Sequence, residues 1–363
     1  MLWMQFLWFA AGLAALVVGA DTLVRGASKL ALSFGLSPLV VGLTIVAFGT
    51  SAPEMAVSAG AVLNGNGDIA IGNVVGSNIF NVLFILGASA LIVPLVVHVQ
   101  LIRQEIPIML GASLLLLVMV LDGNIQFWEG FLLLALLVAY TAFLVIQSRR
   151  QTAQQTAEFD AEIQPAQAGA WDAHWAAQVG LIVVGLALLV VGSDWLVGAA
   201  IVFAKAFGVS DLVIGLTIVA AGTSMPEVAT SITAALKGER DIAVGNVVGS
   251  NTFNILGCVG LTGLLSGADG LAVAASVMNF DIWVMLAVAL ACLPIFITGR
   301  EIARWEGAVF LAYYVAYVVF LLLAAQQHDA LPAFSGVMMS FVIPLTIVTL
   351  VVAWLRQAQR TAD

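Results

Sequence analysis

The chain has 363 residues, of which 62% are hydrophobic and only 9% are charged. This composition lies far outside that of soluble domains and indicates an integral membrane protein. The formal net charge is −9, and the 12 Lys and Arg residues are scattered singly or in pairs. Because they form no basic stripe, the composition excludes a nucleic-acid-binding surface.

Apolar segments long enough to cross a bilayer, which takes roughly 20 residues for a helix, follow one another along the chain. Short turns with Gly, Asn, Asp or Pro separate them. One polar stretch, residues 148–172, is predicted as a flexible cytoplasmic linker. The fold class is therefore an all-α polytopic membrane protein. Its eleven predicted helices cover about 3–30, 37–63, 69–97, 105–121, 127–147, 175–203, 210–236, 242–266, 279–298, 305–325 and 334–355.

The two halves of the chain are copies of each other. Gly42–Gly87 aligns with Gly215–Gly260 without a gap, and 30 of the 46 aligned residues are identical at a constant offset of 173. Further along, Trp128–Gly130 corresponds to Trp305–Gly307. Each copy therefore has five helices. The predicted division is a first repeat over residues 1–147, the linker 148–172, a second repeat over 173–326, and an extra carboxyl-terminal helix and tail over 327–363.

Five is an odd number, so a second copy that follows the first enters the membrane in the opposite orientation. Inverted repeats of this kind are typical of secondary transporters. If the amino terminus is outside and the carboxyl terminus is cytoplasmic, only Lys205 of the basic residues falls outside, which favours this orientation. The basic residues on the inner side are then Arg25, Lys29, Arg103, Arg149, Arg150, Lys237, Arg240, Arg300, Arg304, Arg356 and Arg360.

Two carboxylates lie near the middle of predicted helices, in the matched motifs GTSAPE and GTSMPE. An ionisable group at that depth costs at least about 2.5–3.5 kcal/mol, so Glu54 and Glu227 are candidate functional residues. The alternative is that each carboxyl group is only a locally hydrogen-bonded packing group. Helical spacing predicts that Thr50 and Ser51 share the face of Glu54.

The same motifs contain a proline that should bend the helix. Pro53 and Pro226 cannot donate a hydrogen bond to the carbonyl oxygens four residues earlier, so backbone oxygens are expected to be freed there. Irregular backbone at membrane depth is tolerated where it lines a cavity or is buried in protein. In the next helix, Asn73, Ser77 and Asn81 recur every four residues, and the second copy repeats the stripe. Cation coordination is favoured for this stripe over plain interhelical hydrogen bonding.

These groups offer only oxygen ligands, which suit Ca²⁺ and also Na⁺. The three histidines lie in loops or at helix ends, which argues against a transition-metal site and against a serine hydrolase. Two negative charges in a low-dielectric cavity must be neutralised by one divalent ion, several monovalent ions or protons. An exchange of cations follows from that requirement.

The paired signatures GTSAPE…GNVVGSN and GTSMPE…GNVVGSN resemble those of the calcium/cation antiporter superfamily, most closely its prokaryotic sodium/calcium exchanger branch, over about 325 residues. The resemblance implies one cation site at the midplane, with Glu54 and Glu227 as the main Ca²⁺ ligands. The other implied ligands are Thr50, Thr223 and the backbone of Ala47 and Ala220, then Ser51, Ser77, Ser224 and Ser250 mainly for Na⁺, and Asn81 and Asn254 at the remaining polar position.

The predicted function is Ca²⁺ export or uptake in exchange for Na⁺ by alternating access, with no enzymatic activity, no cofactor and no obligatory protein partner. Some sodium-coupled members carry Asp where this chain has Asn254, so H⁺/Ca²⁺ exchange on the same scaffold remains an alternative. A passive cation channel is a third hypothesis, although conduction requires weak, multiple sites. The predicted location is the inner membrane of a prokaryote.

Overall fold

The computed structural model describes residues 2–159, 174–209, 211–214, 217–218, 220–349 and 351. Within these ranges, nine helices are long and apolar enough to span a membrane, and a bent pair of helices over residues 38–63 makes a tenth. The predicted helix over 210–236 includes four residues outside the described ones, and its described parts are largely helical. The all-α polytopic fold is confirmed.

The first repeat has five membrane-spanning units, three of which contain a wide π-helical turn. These turns cover Gly42–Val46, Asn81–Leu86 and Leu101–Glu105. Such turns interrupt the regular helical ladder and often mark functional sites. The elements are α1 (Leu2–Phe34), α2 (Pro38–Val41), α3 (Ala47–Thr50), α4 (Ala52–Leu63), α5 (Gly67–Phe80), α6 (Gly87–Ile92), β1 (Leu95–Val96), α7 (Ile106–Met119), β2 (Asn124–Ile125) and α8 (Phe127–Phe159).

The second repeat has the same pattern of elements. Its π-helical turns cover Asn254–Val259 and Val277–Asp281, at positions that match those of the first repeat. An additional apolar helix, Leu331–Thr349, follows the repeat and packs against its last helix. The elements are α9 (Trp175–Ala206), α10 (Asp211–Ile214), α11 (Ala220–Gly222), α12 (Met225–Leu236), α13 (Arg240–Phe253), α14 (Gly260–Leu265), β3 (Leu271–Ala272), α15 (Ile282–Ile297), β4 (Glu301–Ile302), α16 (Arg304–Ala325) and α17 (Leu331–Val337).

Two ends of helices differ from the prediction. Helix α8 continues to Phe159, so the first part of the predicted linker is helical, whereas residues 160–172 lie outside the described ones. Helix α17 begins at Leu331, three residues before the predicted start at 334. The predicted basic residues Arg356 and Arg360 also lie outside the described part of the chain.

Two short antiparallel strand pairs show that the repeats are inverted. Strand β1 lies between the third and fourth spans of the first repeat, and it pairs with β4, which lies between the fourth and fifth spans of the second repeat. Strand β2, between the fourth and fifth spans, pairs with β3, between the third and fourth. If both repeats had the same orientation, equivalent loops of the two repeats would lie on the same side of the membrane and could pair with each other. The crossed pairing therefore requires opposite orientations.

The centre of the bundle is formed by the third span of each repeat. The most apolar stretch of the span Arg240–Leu265 is entirely buried, whereas that of Leu331–Thr349 is not buried at all. Two long helices, α1 and α9, pack along each other and use glycines where they cross. A Cβ atom on Gly19 would lie 2.9 Å from the carbonyl oxygen of Gly185. The small residues thus allow direct backbone contact between the repeats.

Candidate cation-binding site

A break in the second span of each repeat presents the two glutamates. Helix α3 ends at Thr50 and α4 begins at Ala52, and the two parts meet at an angle of 42°. In the second repeat the chain turns at residues 223–224 before α12 begins. The predicted bend is therefore confirmed in the first repeat, and a break is found at the equivalent place in the second. Glu54 and Glu227 lie in the first turn of α4 and α12, where the helix dipole favours negative charge.

Both carboxylates are completely buried, and each accepts a hydrogen bond from the opposite repeat. The Ser224 hydroxyl donates to Glu54 Oε1 at 2.7 Å. The Ser51 hydroxyl donates to Glu227 Oε1 at 3.3 Å. The two motifs are thus interlocked around one site. Ser51 was expected to share one face of a helix with Glu54. The helix instead breaks at Ser51, whose hydroxyl bonds to Glu227 of the opposite repeat.

Six buried oxygens of the predicted site residues, together with Thr230 Oγ1 one turn after Glu227, have no hydrogen-bond partner among the described residues. A buried polar atom that is left unpaired costs about 1–3 kcal/mol, so a group of them indicates a missing ligand. All six belong to residues that the sequence analysis predicted as site residues. They are Glu54 Oε2, Glu227 Oε2, Ser77 Oγ, Ser250 Oγ, Asn81 Oδ1 and Thr223 Oγ1.

The amides at the beginning of the polar stripes are used in contacts between helices. Asn73 Nδ2 donates to Ser58 Oγ at 3.0 Å, and Asn246 Nδ2 donates to Ser231 Oγ at the same distance. Asn246 Oδ1 also accepts a hydrogen bond from the Thr50 hydroxyl at 3.1 Å. These contacts hold each third span against the broken span. They support the alternative of interhelical hydrogen bonding for Asn73 and Asn246.

The backbone of the broken spans was predicted to supply further oxygens. The Ala47 carbonyl accepts a hydrogen bond from the Ser51 N–H at 3.0 Å and a longer one from the Thr50 hydroxyl at 3.4 Å. Ala220 is the first residue of α11, and its side chain is not among those described. The carbonyl of Gly222, freed by the proline four residues later, accepts a hydrogen bond from the Ser193 hydroxyl at 2.7 Å.

Two asparagines that sequence reasoning missed lie at the junction of the repeats. Asn78 and Asn251 are the last residues of the two GNVVGSN motifs, and both are buried. Asn81 Nδ2 donates to Asn251 Oδ1 at 3.0 Å, and Asn254 Nδ2 donates to Asn78 Oδ1 at 3.1 Å. The presence of the same asparagine in both copies was the available signal. The spacing of four residues predicted the stripe Asn73, Ser77 and Asn81 instead, and Asn78 does not belong to that stripe.

The chemistry of the site is that of hard oxygen ligands. Two carboxylates, serine and threonine hydroxyls and amide oxygens converge, and no group of three or more His, Cys, Asp or Glu is found in the described ranges. Ca²⁺ takes about 6–8 oxygen ligands at about 2.3–2.6 Å, so this donor set suits Ca²⁺. Two negative charges also match one divalent cation. The geometry therefore supports a cation site at the centre of the bundle.

Comparison with known proteins identifies the family. The sequence model described as "Sodium/calcium exchanger protein" matches residues 4–146 and 177–323. The putative antiporter CaxA of Alkalimonas amylolytica is 40% identical over 311 residues, which is 84% of this chain and 95% of that protein. The sodium/calcium exchanger MaX1 of Methanosarcina acetivorans is 35% identical over 350 residues, with 88% of this chain and 99% of that protein covered.

The fold is also similar to a solved structure. The sodium-calcium exchanger NCX_Mj, soaked with Na⁺ and no Ca²⁺, superimposes with a TM-score of 0.74 at 31% identity, and the match covers 88% of this chain and 99% of that chain. The family match spans both repeats and leaves out the polar segment between them. Motifs, inverted repeats and structural similarity lead to one conclusion: the chain is a membrane transporter that belongs to the sodium/calcium exchanger family.

Proposed function

We propose that the protein exchanges Ca²⁺ for Na⁺ across the membrane at the site formed by Glu54 and Glu227. One observation carries the proposal. Each carboxylate is fully buried, with one oxygen bonded to a serine of the opposite repeat and the other oxygen without a partner among the described residues. Such a pair is suited to a cation that both repeats hold together.

The charge of the site provides the coupling between the two ions. Two carboxylates at the centre of a membrane protein are costly unless their charge is compensated. One Ca²⁺ achieves this, and so do two or more Na⁺. If the protein changes conformation only when the charge is compensated, Ca²⁺ leaves on one side only after Na⁺ replaces it, and this alternation is antiport.

The two repeats differ in a way that supports alternating access. Helix α1 packs along α12, and Lys237 forms an ion pair with Asp21 there, whereas the equivalent α9 does not pack along α4 in the same way. Thr230 on α12 is fully buried, but its counterpart Val57 on α4 is 44% exposed. The packing beside α12 is therefore tighter than the equivalent packing beside α4. Exchange of these two arrangements would loosen the packing on one side of the site and tighten it on the other.

The proposed orientation follows from the basic residues. With the amino terminus outside and the carboxyl terminus in the cytoplasm, Lys237 lies on the inner side, as the positive-inside rule expects. The more tightly packed approach is then the cytoplasmic one. The proposed location is the inner membrane of a prokaryote.

H⁺/Ca²⁺ exchange is the second candidate, and one observation favours it. The amide residues Asn81 and Asn254 occupy equivalent buried positions, so the site has two carboxylates rather than three. Two protons would then be sufficient to neutralise it after Ca²⁺ has left.

Ca²⁺ uptake into proteoliposomes distinguishes these candidates. The purified protein is reconstituted, and ⁴⁵Ca²⁺ uptake is compared under an outward Na⁺ gradient, an outward H⁺ gradient and no gradient. We expect uptake that depends on the Na⁺ gradient. Uptake driven only by H⁺ would replace Na⁺ by H⁺ in the proposal, and uptake that needs no counter-gradient would mean a channel.

Replacing Ser224 by alanine is expected to weaken Ca²⁺ binding more than replacing Ser51. The Ser224 hydroxyl lies 2.7 Å from Glu54 Oε1, whereas Ser51 lies 3.3 Å from Glu227 Oε1. A hydrogen bond to a charged group contributes about 1.5–3 kcal/mol, so the apparent KM for Ca²⁺ should rise by about tenfold or more in Ser224→Ala.

The rate and KM of uptake at rising Ca²⁺ concentration measure this effect. Ser335→Ala is a suitable control, because Ser335 lies in the extra carboxyl-terminal helix, away from the site. Equal KM values for Ser224→Ala and the control would contradict the hydrogen-bonded geometry.

A further inference from the structure

We propose that Asn78 and Asn251 are positioning residues that orient the carbonyl oxygens of Asn81 and Asn254 into the cation site. The four side chains are buried where α5 meets α13 and their π-helical turns begin. They form a crossed arrangement in which each residue contacts the opposite repeat. We call this group the asparagine quartet. The inference rests on the proposed function, because it assigns a role in holding the transported cation.

The backbone fixes which way Asn78 and Asn251 point. Asn78 Nδ2 donates to the backbone carbonyl of Asn251 at 3.2 Å, and Asn251 Nδ2 donates to the backbone carbonyl of Asn78 at 3.3 Å. A backbone carbonyl can only accept a hydrogen bond, so the amide nitrogen must face it. The side-chain oxygens of both residues are therefore directed to the other side.

Sulfur atoms complete the environment of these two amides. Asn78 Nδ2 lies 3.6 Å from Met285 Sδ, and Asn251 Nδ2 lies 3.7 Å from Met109 Sδ. A thioether is a weak acceptor and offers no donor, so a flipped amide would bring its oxygen against sulfur. The methionines and the backbone carbonyls thus both disfavour the flipped orientation, in which the amide oxygen of Asn78 or Asn251 would face them.

The orientation of the Asn78 and Asn251 amides determines the orientation of the Asn81 and Asn254 amides. Because Asn251 presents its oxygen, Asn81 must present its nitrogen, and the two atoms are 3.0 Å apart. Asn254 presents its nitrogen to Asn78 in the same way, at 3.1 Å. In a primary amide the oxygen lies on the opposite branch from the nitrogen. Fixing the nitrogen therefore fixes where the oxygen points.

The oxygens that result are available for a ligand, though not equally. Asn81 Oδ1 is buried and has no hydrogen-bond partner among the described residues. Asn254 Oδ1 is 3.6 Å from the thiol of Cys258, whose counterpart in the first repeat is Ile85. A thiol is a weak donor and is easily displaced by a cation. The quartet therefore holds two carbonyl oxygens ready at the site, so that binding does not have to order them.

The crossed pattern predicts which pairs of residues are energetically coupled. Asn251 acts through Asn81, and Asn78 acts through Asn254. The Kd for Ca²⁺ should rise by about tenfold in Asn251→Ala and in Asn81→Ala. The Kd of the double variant should also rise by only about tenfold. The uncrossed double variant Asn251→Ala, Asn254→Ala should lose about 100-fold, because its two effects are independent and add. The pairs with Asn78 should behave in the mirror-image way.

The test is equilibrium binding of ⁴⁵Ca²⁺ to the purified protein in detergent, for the wild type, four single variants and four double variants. Thermal unfolding of each variant reports its folding, and Asn64→Ala, an exposed residue in a turn, is the control. If the Ala variants at 78 and 251 unfold, Ser variants replace them, because serine retains a small polar group without the reach of the amide. Coupling of the crossed pairs alone is the expected result.

Equal coupling in all pairs, or strict additivity in all pairs, would overturn the positioning role, because that role requires the Kd for Ca²⁺ to be coupled only between the residues that are hydrogen-bonded to each other. Gradient-driven uptake by the wild type is measured alongside. If crossed coupling is found but no counter-ion drives uptake, the exchange function fails and the positioning role stands. If the wild type does not bind Ca²⁺, both are overturned.

Discussion

Replacing both Glu54 and Glu227 by glutamine is expected to reduce Ca²⁺ uptake to the level of protein-free liposomes. The two carboxylates are the only acidic side chains that the described site contributes, and both are fully buried. Glutamine keeps the size of the side chain and removes its charge. A buried charge that loses its partner costs about 3–5 kcal/mol, so even a single substitution should weaken Ca²⁺ binding by at least about 100-fold.

The measurement is ⁴⁵Ca²⁺ uptake at several Ca²⁺ concentrations by both single variants and the double variant. Asp329→Asn is the matched control, because it removes an exposed carboxylate in the turn before the last helix. The control should transport like the wild type. Uptake by the double variant at an undiminished rate would exclude these carboxylates as the cation ligands.

Replacing Gly185 by leucine is expected to destabilise the protein and abolish transport, whereas the same change at Gly180 should be tolerated. A Cβ atom on Gly185 would lie 2.7 Å from the backbone nitrogen of Leu23, so α1 and α9 would have to separate. Around Gly180, in the same helix, the described structure has no atom within 4 Å of that position. Overpacking costs about 1–3 kcal/mol, and here the obstacle is backbone, which cannot move aside alone.

Thermal unfolding in detergent measures the change in stability, and uptake measures the change in function. The two variants have the same composition, so differences in hydrophobicity do not contribute. We expect a lower Tm and lost uptake in Gly185→Leu only. Equal Tm values for the two variants would contradict the close contact of α1 with α9.

The all-α fold and its repeated order of membrane spans could be predicted from the sequence, because long apolar segments and the 173-residue offset are both visible there. The end of α8 could not. Residues 148–159 contain Gln, Arg, Ala and Thr, and most of these are good helix formers, so the helix continues beyond the apolar stretch. Hydropathy detects where a membrane span ends, which is not where a helix ends.

The strand pairs are another feature that the sequence does not reveal. Each strand has only two residues, which is too short for a periodic pattern, and each pair joins loops of different repeats.

The close helix contacts at glycines could not be predicted from the sequence either. Gly130 and Gly307 belong to the repeated Trp-Glu-Gly segments, where a Cβ atom would lie 2.8 Å from the carbonyl oxygen of Gly260 and 2.7 Å from that of Gly87. The sequence showed the repetition of these segments but not their packing.

The composition of the candidate site was predictable, whereas its connectivity was not. The motifs identify Glu54 and Glu227 as unusual groups within apolar helices. That Ser51 would bond to Glu227 rather than to Glu54 depends on the helix break and on the inverted packing of the repeats. Spacing along one helix describes neighbours on that helix only, so contacts across the pseudo-two-fold axis required the structure.

Competition between Na⁺ and Ca²⁺ for one site is the most direct test of the proposed exchange. Equilibrium binding of ⁴⁵Ca²⁺ to the purified protein is measured at rising Na⁺ concentration, with K⁺ or choline replacing Na⁺ to keep the ionic strength constant. The predicted result is that Na⁺ raises the apparent Kd for Ca²⁺ without changing the number of sites, and that Glu54→Gln, Glu227→Gln binds neither ion. Ca²⁺ binding that does not respond to Na⁺ would contradict a shared site and, with it, Na⁺/Ca²⁺ exchange.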